Sequence, residues 1–287
     1  MRGRILVIAG SDPSGGAGIQ ADIKTITALN GYAMTAITAL TAQNTTGVFG
    51  VEDVPVAFIT DQIKAVVSDY GVDCIKIGML HTEEIITEVS KTLAIYTPDI
   101  PIVLDPVMVA KGGTPLLKGT AVDALKKELI PIALLTTPNI PEGEVLSGIK
   151  YADGEQSLGI AQSILELGTK AVLLKGGHGD GPVVNDLLFG PGEFSRNFSS
   201  QKVKTEDTHG TGCTLASAIA VGISQGLNLE KAVDKARKYI LKGIIEAPGF
   251  GVGNGPLNHC HSISVKSVSY THLRAHETLR DLVCRVL

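Results

Sequence analysis

The chain has 287 residues, 44% hydrophobic and 19% charged, with 33 glycines and no tryptophan. That is the composition of a compact α/β enzyme and excludes a fibrous or disordered chain. A formal charge of −4 leaves no basic footprint for nucleic acid or anionic lipid, although a local site for a small charged cosubstrate stays open.

The first apolar run, "RILVIAG" at 4–10, reads as a strand and is too short for a signal-peptide core. No window reaches the ~18 apolar residues of a membrane span, so a cytoplasmic protein without a membrane partner is expected. Ile19, Ile23, Ile26 and Leu29 then form a helical stripe that "NG" at 30–31 ends. Asp22 interrupts that stripe. A carboxylate there must be paired or face a polar cavity. It either bonds the glycine turn at 15–18 or contacts a ligand. The next strand run, "AMTAITAL" at 33–40, delivers "TAQNTTG". Gln43 is there either as a turn residue or as an amide whose donor and acceptor match an aminopyrimidine edge.

Further strand runs fall at 73–79, 100–106, 132–138 and 170–177. Thr82 before Glu83 and Glu84 reads as a helix N-cap with acids in the first turn. Val122, Leu125 and Leu129 mark another helix, and Ile160, Ile164 and Leu167 another. Apolar strands alternating with helices predict a parallel sheet covered on both faces, in one domain over 1–266. The remainder, 267–287, includes "SYTHLRAHET" and reads as a non-native appendage outside the fold. His272 and His276 have zinc-ligand spacing there, but the glutamate of HExxH is missing. The four cysteines show no CxxC spacing, which fits free thiols in a reducing compartment.

Open parallel sheets bind ligands at the carboxyl ends of their strands. Asp22, Gln43, Asp105, Asn139, Glu142 and Lys175 gather at that rim. There is no GxxxxGK[ST] and no GxGxxG, which argues against a P-loop and a dinucleotide site. The phosphate site is instead expected at "HGTGCTLASAIA", 209–220, which opens a buried helix. Gly210, Thr211 and Gly212 curl backbone amides toward an anion at its N-terminus. Cys213 falls in the first turn, where the helix dipole is expected to depress its pKa below ~8.5. Its alternative is a small packing residue.

In order, "AGSDPSGGAGIQADIKT", "TALTAQNTTGV", "DPVMVAKGG", "TPNIPEGEVLSG", "LLKGGH" and "HGTGCTLASAIA" resemble the hydroxymethylpyrimidine/phosphomethylpyrimidine kinase family of thiamine biosynthesis, in the ribokinase superfamily. The resemblance implies a three-layer α/β/α sandwich with a mostly parallel sheet, and a homodimer. It implies ATP- and Mg²⁺-dependent phosphorylation of a hydroxymethyl group, then of the monophosphate to the diphosphate. Asp22 and Gln43 would hold the aminopyrimidine, with Gly10, Ala17, Met79 and Val107 lining its pocket. Asp105 and Glu142 would manage Mg²⁺, largely through water. Asn139, Lys175 and Thr208 would face the ATP phosphates. The turn Gly210–Cys213 would form the anion hole, with Cys213 where sugar kinases carry an aspartate base.

Two departures from the family pattern stand out. Asn254 replaces an expected histidine, with contacts expected near the adenine edge. Gly143 replaces alanine at a helix start, at a local cost of about 0.5–1 kcal/mol. A pyridoxal or pyridoxine kinase is the nearest alternative, against which Gln43 speaks. A pyrimidine- or nucleotide-binding regulator without turnover is the alternative outside enzymes. "KGGTPLL" at 111–117 carries the glycines of a lid hinge.

Overall fold

The computed structural model describes residues 3–263, apart from 111–112, 118, 153–155, 178–180 and 193. The stretch 267–287, with its two histidines, and part of the expected lid lie outside the described residues. The first apolar run forms strand β1 (Arg4–Ser11), whose two faces enter two different cores. Leu6 and Ile8 join one cluster while Ile5, Val7 and Ala9 join the other, as the two-residue period of a strand requires. Each such side chain withdrawn from water contributes about 1.5–3 kcal/mol.

The sheet is completed by β2 (Tyr32–Asn44), β3 (Gly47–Asp53), β4 (Cys74–Ile77), β5 (Ile102–Leu104), β6 (Leu135–Thr136), β7 (Val172–Leu174), β8 (Val183–Phe189) and β9 (Ser195–Gln201). Their order is β3-β2-β1-β4-β5-β6-β7-β8-β9. Strands β2 to β7 in that order pair parallel, and β3, β8 and β9 add antiparallel edges. Helices α1 (Gly18–Ala28), α7 (Thr211–Ser224) and α8 (Leu229–Ile245) cover one face. Helices α2 (Val56–Tyr70), α3 (Glu83–Tyr96), α4 (Gly119–Ala124), α5 (Ile140–Ser147) and α6 (Gln156–Glu166) cover the other. The expected α/β/α sandwich is therefore present.

Thr82 caps α3 as expected, its side chain accepting from the Ile85 N–H at 3.3 Å. The helix expected around 122–129 starts at Gly119 and widens into a π turn over Leu125–Leu129. A 3₁₀ turn that contains Pro131, which has no N–H to donate, then ends it.

Strand β2 runs past the predicted end at 40, because antiparallel β3 pairs with its last residues. Gln43 is consequently a strand residue and not part of a turn. A register shift between Ala42 and Gln43 marks a bulge, a device that re-aims a side chain. The two edge strands, β3 and β9, lie outside the apolar runs because they are largely exposed; β9 buries only Phe198.

Candidate active site

The carboxyl ends of the parallel strands open onto one cleft of about 1070 Å³. Gly10, Ala17, Gln43, Met79 and Val107 line it. Asp105, Asn139 and Lys175 line it just beyond β5, β6 and β7, Glu142 lines it from the first turn of α5, and Thr208 to Cys213 line it around the start of α7.

Asp22 does not reach this cleft. Its side chain is fully buried, with Oδ2 2.9 Å from Lys76 Nζ and Oδ1 accepting from Ser217 Oγ at 2.7 Å. The ligand reading and the glycine-turn reading of Asp22 are both corrected: the carboxylate answers a buried lysine. The residue that satisfies the glycine turn is Asp12, which the sequence reading passed over. Its carboxylate accepts from Ser14 N, Ser14 Oγ and Ala17 N at 2.9, 2.9 and 2.8 Å.

At the centre of the cleft, Lys175 Nζ lies 2.8 Å from Asp105 Oδ1, which also accepts from Thr137 Oγ1 at 3.0 Å. Burial works against the charge of Lys175, but Asp105 and Glu142 outweigh it and hold its pKa above the ordinary value. Glu142 is pushed up to about 7 by burial and by Asp105, against the pull of Lys175. Asn139 N-caps α5 in a reciprocal box, its Oδ1 taking the Glu142 N–H and Glu142 Oε2 taking the Asn139 N–H. The Asn139 carbonyl is thus committed, and its NH₂ remains as the donor toward an anion.

Helix α7 begins at Gly210 with φ 80° and no side-chain cap; the Thr211 N–H donates to Thr208 O at 3.4 Å, and Gly212 and Cys213 line the cleft with no side chain capping their N–H groups. Position 210 admits only glycine, and position 212 is crowded. A Cβ on Gly210 would stand 1.8 Å from Gly16 O, and one on Gly212 3.2 Å from Asp105 Oδ2. An anion bound there would have amides and dipole on one side and Lys175 on the other. Cys213 stands at the same mouth, but the expectation of a depressed pKa is overturned. Burial, with Asp22 and Asp105 adding to it, pushes the thiol up to about 11 despite the opposing charge of Lys76.

The next residue, Thr214, shares a 3.0 Å hydrogen bond with His259 Nε2. Burial, then Lys24 and His261, push His259 down to about 4. An unfolded histidine protonates near 6.5, so the fold loses stability as pH falls from about 6.5 toward 4, by roughly 3 kcal/mol at the lower end. Thermal melts across that window check this, with His259→Gln expected to show the weaker pH dependence.

Both departures from the family pattern find a place. Asn254 N donates to Thr45 O at 2.9 Å, and the residue lines a niche with Gln43 and His209. A Cβ on Gly143 would meet Leu174 Cδ1 at 2.9 Å and Ile160 Cγ2 at 3.0 Å. The glycine is therefore fitted to the packing of α5 on β7 and α6, and its role is not merely local.

A parallel sheet with an uncapped helix start, a lysine and two buried carboxylates around one cleft defines a small-molecule phosphotransferase of the ribokinase-like class. The phosphomethylpyrimidine kinase family model matches residues 12–258. A thiamine biosynthesis bifunctional protein from Geobacter sulfurreducens is 49% identical over 261 residues, 90% of this chain and 52% of that protein. The chain thus spans about half the length of that relative. A hydroxymethylpyrimidine/phosphomethylpyrimidine kinase from Rhizobium meliloti is 44% identical, over 89% of this chain and 96% of its own. Among solved structures, a phosphomethylpyrimidine kinase from Clostridium difficile 630 aligns with a TM-score of 0.75 at 44% identity, covering 84% of this chain and 99% of that one. A pyridoxal kinase from Staphylococcus aureus in complex with ADP aligns at 0.84 with 32% identity, covering 92% and 96%. The chain belongs to the phosphomethylpyrimidine kinase family.

Proposed function

We propose that the cleft transfers the terminal phosphoryl of ATP to the hydroxymethyl oxygen of 4-amino-5-hydroxymethyl-2-methylpyrimidine, then phosphorylates the monophosphate to the diphosphate. The enzyme is a hydroxymethylpyrimidine and phosphomethylpyrimidine kinase of thiamine biosynthesis. The observation that carries the site assignment is the meeting of the α7 start, which no side chain caps, with Lys175, Cys213 and Gln43 in the lining of one cleft. Phosphoryl transfer passes through a loose transition state, so positioning and charge stabilisation dominate. The α7 amides and Lys175 hold the transferring group, Gln43 orients the ring, and Cys213 in its thiolate form receives the hydroxyl proton.

Asp105 and Glu142 suit Mg²⁺ that arrives with the nucleotide. Two buried carboxylates share a single lysine, and Asp105 Oδ2 faces the space that a Gly212 Cβ would fill. Asp105 and Glu142 would hold Mg²⁺ largely through water, and the ion would supply neutralisation of phosphate charge. Asp22 is withdrawn from the ligand set. A homodimer is proposed with this reading. Among the described residues no helix is long and apolar enough to cross a membrane.

A comparison of kcat/KM for the pyrimidine alcohol, its monophosphate and pyridoxal tests the proposal. Both pyrimidines should be phosphorylated, and pyridoxal at least about tenfold less efficiently, since it offers no amine beside a ring nitrogen to Gln43. A preference for pyridoxal would reverse the assignment. Lys175→Ala should raise KM for ATP about tenfold or more, because it deletes the point charge facing the phosphates. Wild-type ATP kinetics in that variant would remove Lys175 from the phosphate site.

A further inference from the structure

We propose that Thr41 and the Asp12–His209 pair fix the orientation of the Gln43 amide, oxygen toward His209 and nitrogen toward Thr41, and thereby set which ring edge the cleft accepts. The inference rests on the reading that Gln43 contacts the pyrimidine. The two ends of a primary amide are nearly isosteric, and only the surrounding donors and acceptors tell them apart. Placed with Oε1 3.2 Å from Thr41 Oγ1 and Nε2 3.4 Å from His209 Nε2, the amide meets two conflicts.

First, Thr41 has one hydroxyl proton, and its Oγ1 already lies 3.0 Å from its acceptor, Ser11 O. Second, His209 Nε2 lies 2.8 Å from Asp12 Oδ2. Burial alone would raise the Asp12 pKa, but hydrogen bonds from His209, Ser14 and Ala17 hold it below the ordinary carboxylate range. Asp12 is therefore an ionised acceptor, and His209 Nε2 must carry the proton that binds it. A protonated ring nitrogen has no lone pair to offer an amide N–H.

A half-turn of the amide removes both conflicts. Gln43 Nε2–H then donates to Thr41 Oγ1, and Thr41 donates to Ser11 O. The Gln43 oxygen takes the second, weaker share of the His209 N–H. One amide N–H and one oxygen lone pair remain for a ligand, in a fixed order. An aminopyrimidine supplies the matching pair, an amine donor beside a ring-nitrogen acceptor. A ring with an ionised phenolic oxygen at that edge would set two acceptors against each other. Gly16 enforces the arrangement, since a Cβ there would stand 2.3 Å from His209 Cδ2.

Thr41→Val keeps the shape and removes the acceptor of the amide N–H. It should raise KM for the pyrimidine alcohol about tenfold, the worth of one hydrogen bond, and lower selectivity over pyridoxal by the same factor. KM for ATP should stay within about twofold. In wild-type protein with ¹⁵N-labelled glutamine, the Gln43 NH₂ protons should show NOEs to the Thr41 methyl and none to the His209 ring. NOEs to His209, or equal losses for both substrates in Thr41→Val, would overturn the orientation. Gln43→Ala separates the two claims. If it leaves KM for the pyrimidine unchanged, the contact itself fails. If it raises KM while Thr41→Val does not, only the orientation fails.

Discussion

Cys213→Ala lowers kcat by about 10²–10⁴-fold, the range over which a positioned base acts, and leaves the ATP dissociation constant within about twofold. The split follows from where each group sits. The anion cradle is backbone, from Gly210 to the first turn of α7, and survives the change. Only the proton acceptor is lost. Calorimetry for ATP beside steady-state kinetics for the pyrimidine alcohol measures both halves. Unaltered turnover would remove Cys213 from the mechanism.

The sign of the pH dependence follows from the same residue. With the thiol pushed up to about 11, the thiolate fraction grows about tenfold per pH unit below that value. Wild-type kcat should therefore climb between pH 7 and 9, while the alanine variant should not follow. Alkylation of Cys213 by iodoacetamide should be slow at pH 7 and accelerate over the same range. A wild-type profile as flat as the variant's would deny Cys213 the role of base.

Helix position alone points the other way, and magnitudes decide between them. A helix dipole at a partly buried end contributes about 0.3–2 kcal/mol, at most some 1.5 pKa units. Withdrawal of the thiol from water, with two carboxylates nearby, exceeds that. The sequence reveals the first effect, since a cysteine after a glycine turn is visible in one dimension. It hides the second, because Asp22 and Asp105 reach Cys213 only through the folded sheet.

The same distinction runs through the site. The residues at the strand ends were legible because an α/β sheet sends successive carboxyl ends to one rim, and Gln43, Asp105, Glu142 and Lys175 all line the cleft. Asp12 and His209 were not, although both adjoin quoted glycines. Their partnership spans 197 residues and rests on the approach of two glycine turns. A signal was present for Asp22 and Lys76. A carboxylate inside a buried helical stripe and a lysine inside an apolar strand run each require a partner. Strand alternation puts Lys76 on the same face as Cys74, toward α1 and α7, where Asp22 and Ser217 lie.

Lys76→Met is accordingly the most damaging single change expected for stability. The methionine fills the stem's space but leaves the Asp22 carboxylate fully buried with only Ser217 to bond it. Breaking a buried pair on one side costs about 3–5 kcal/mol, which for a chain of this size lowers the melting temperature by about 5–8 °C. In the native pair, burial raises the Asp22 pKa while Lys76 and Ser217 pull it back. Burial likewise works against the charge of Lys76, yet Asp22 outweighs it and the net shift is upward. Without Lys76 the Asp22 pKa rises further above its unfolded value. The folded variant then binds more protons than the unfolded chain, so it loses stability as pH rises through the folded pKa. The deficit against wild type should be smaller at pH 5 than at pH 8. Adding Asp22→Asn to Lys76→Met should restore part of the loss by removing the stranded charge. A Lys76→Met protein as stable as wild type at pH 8 would mean that Asp22 needs no buried cation, and would return that carboxylate to the candidates for ligand contact.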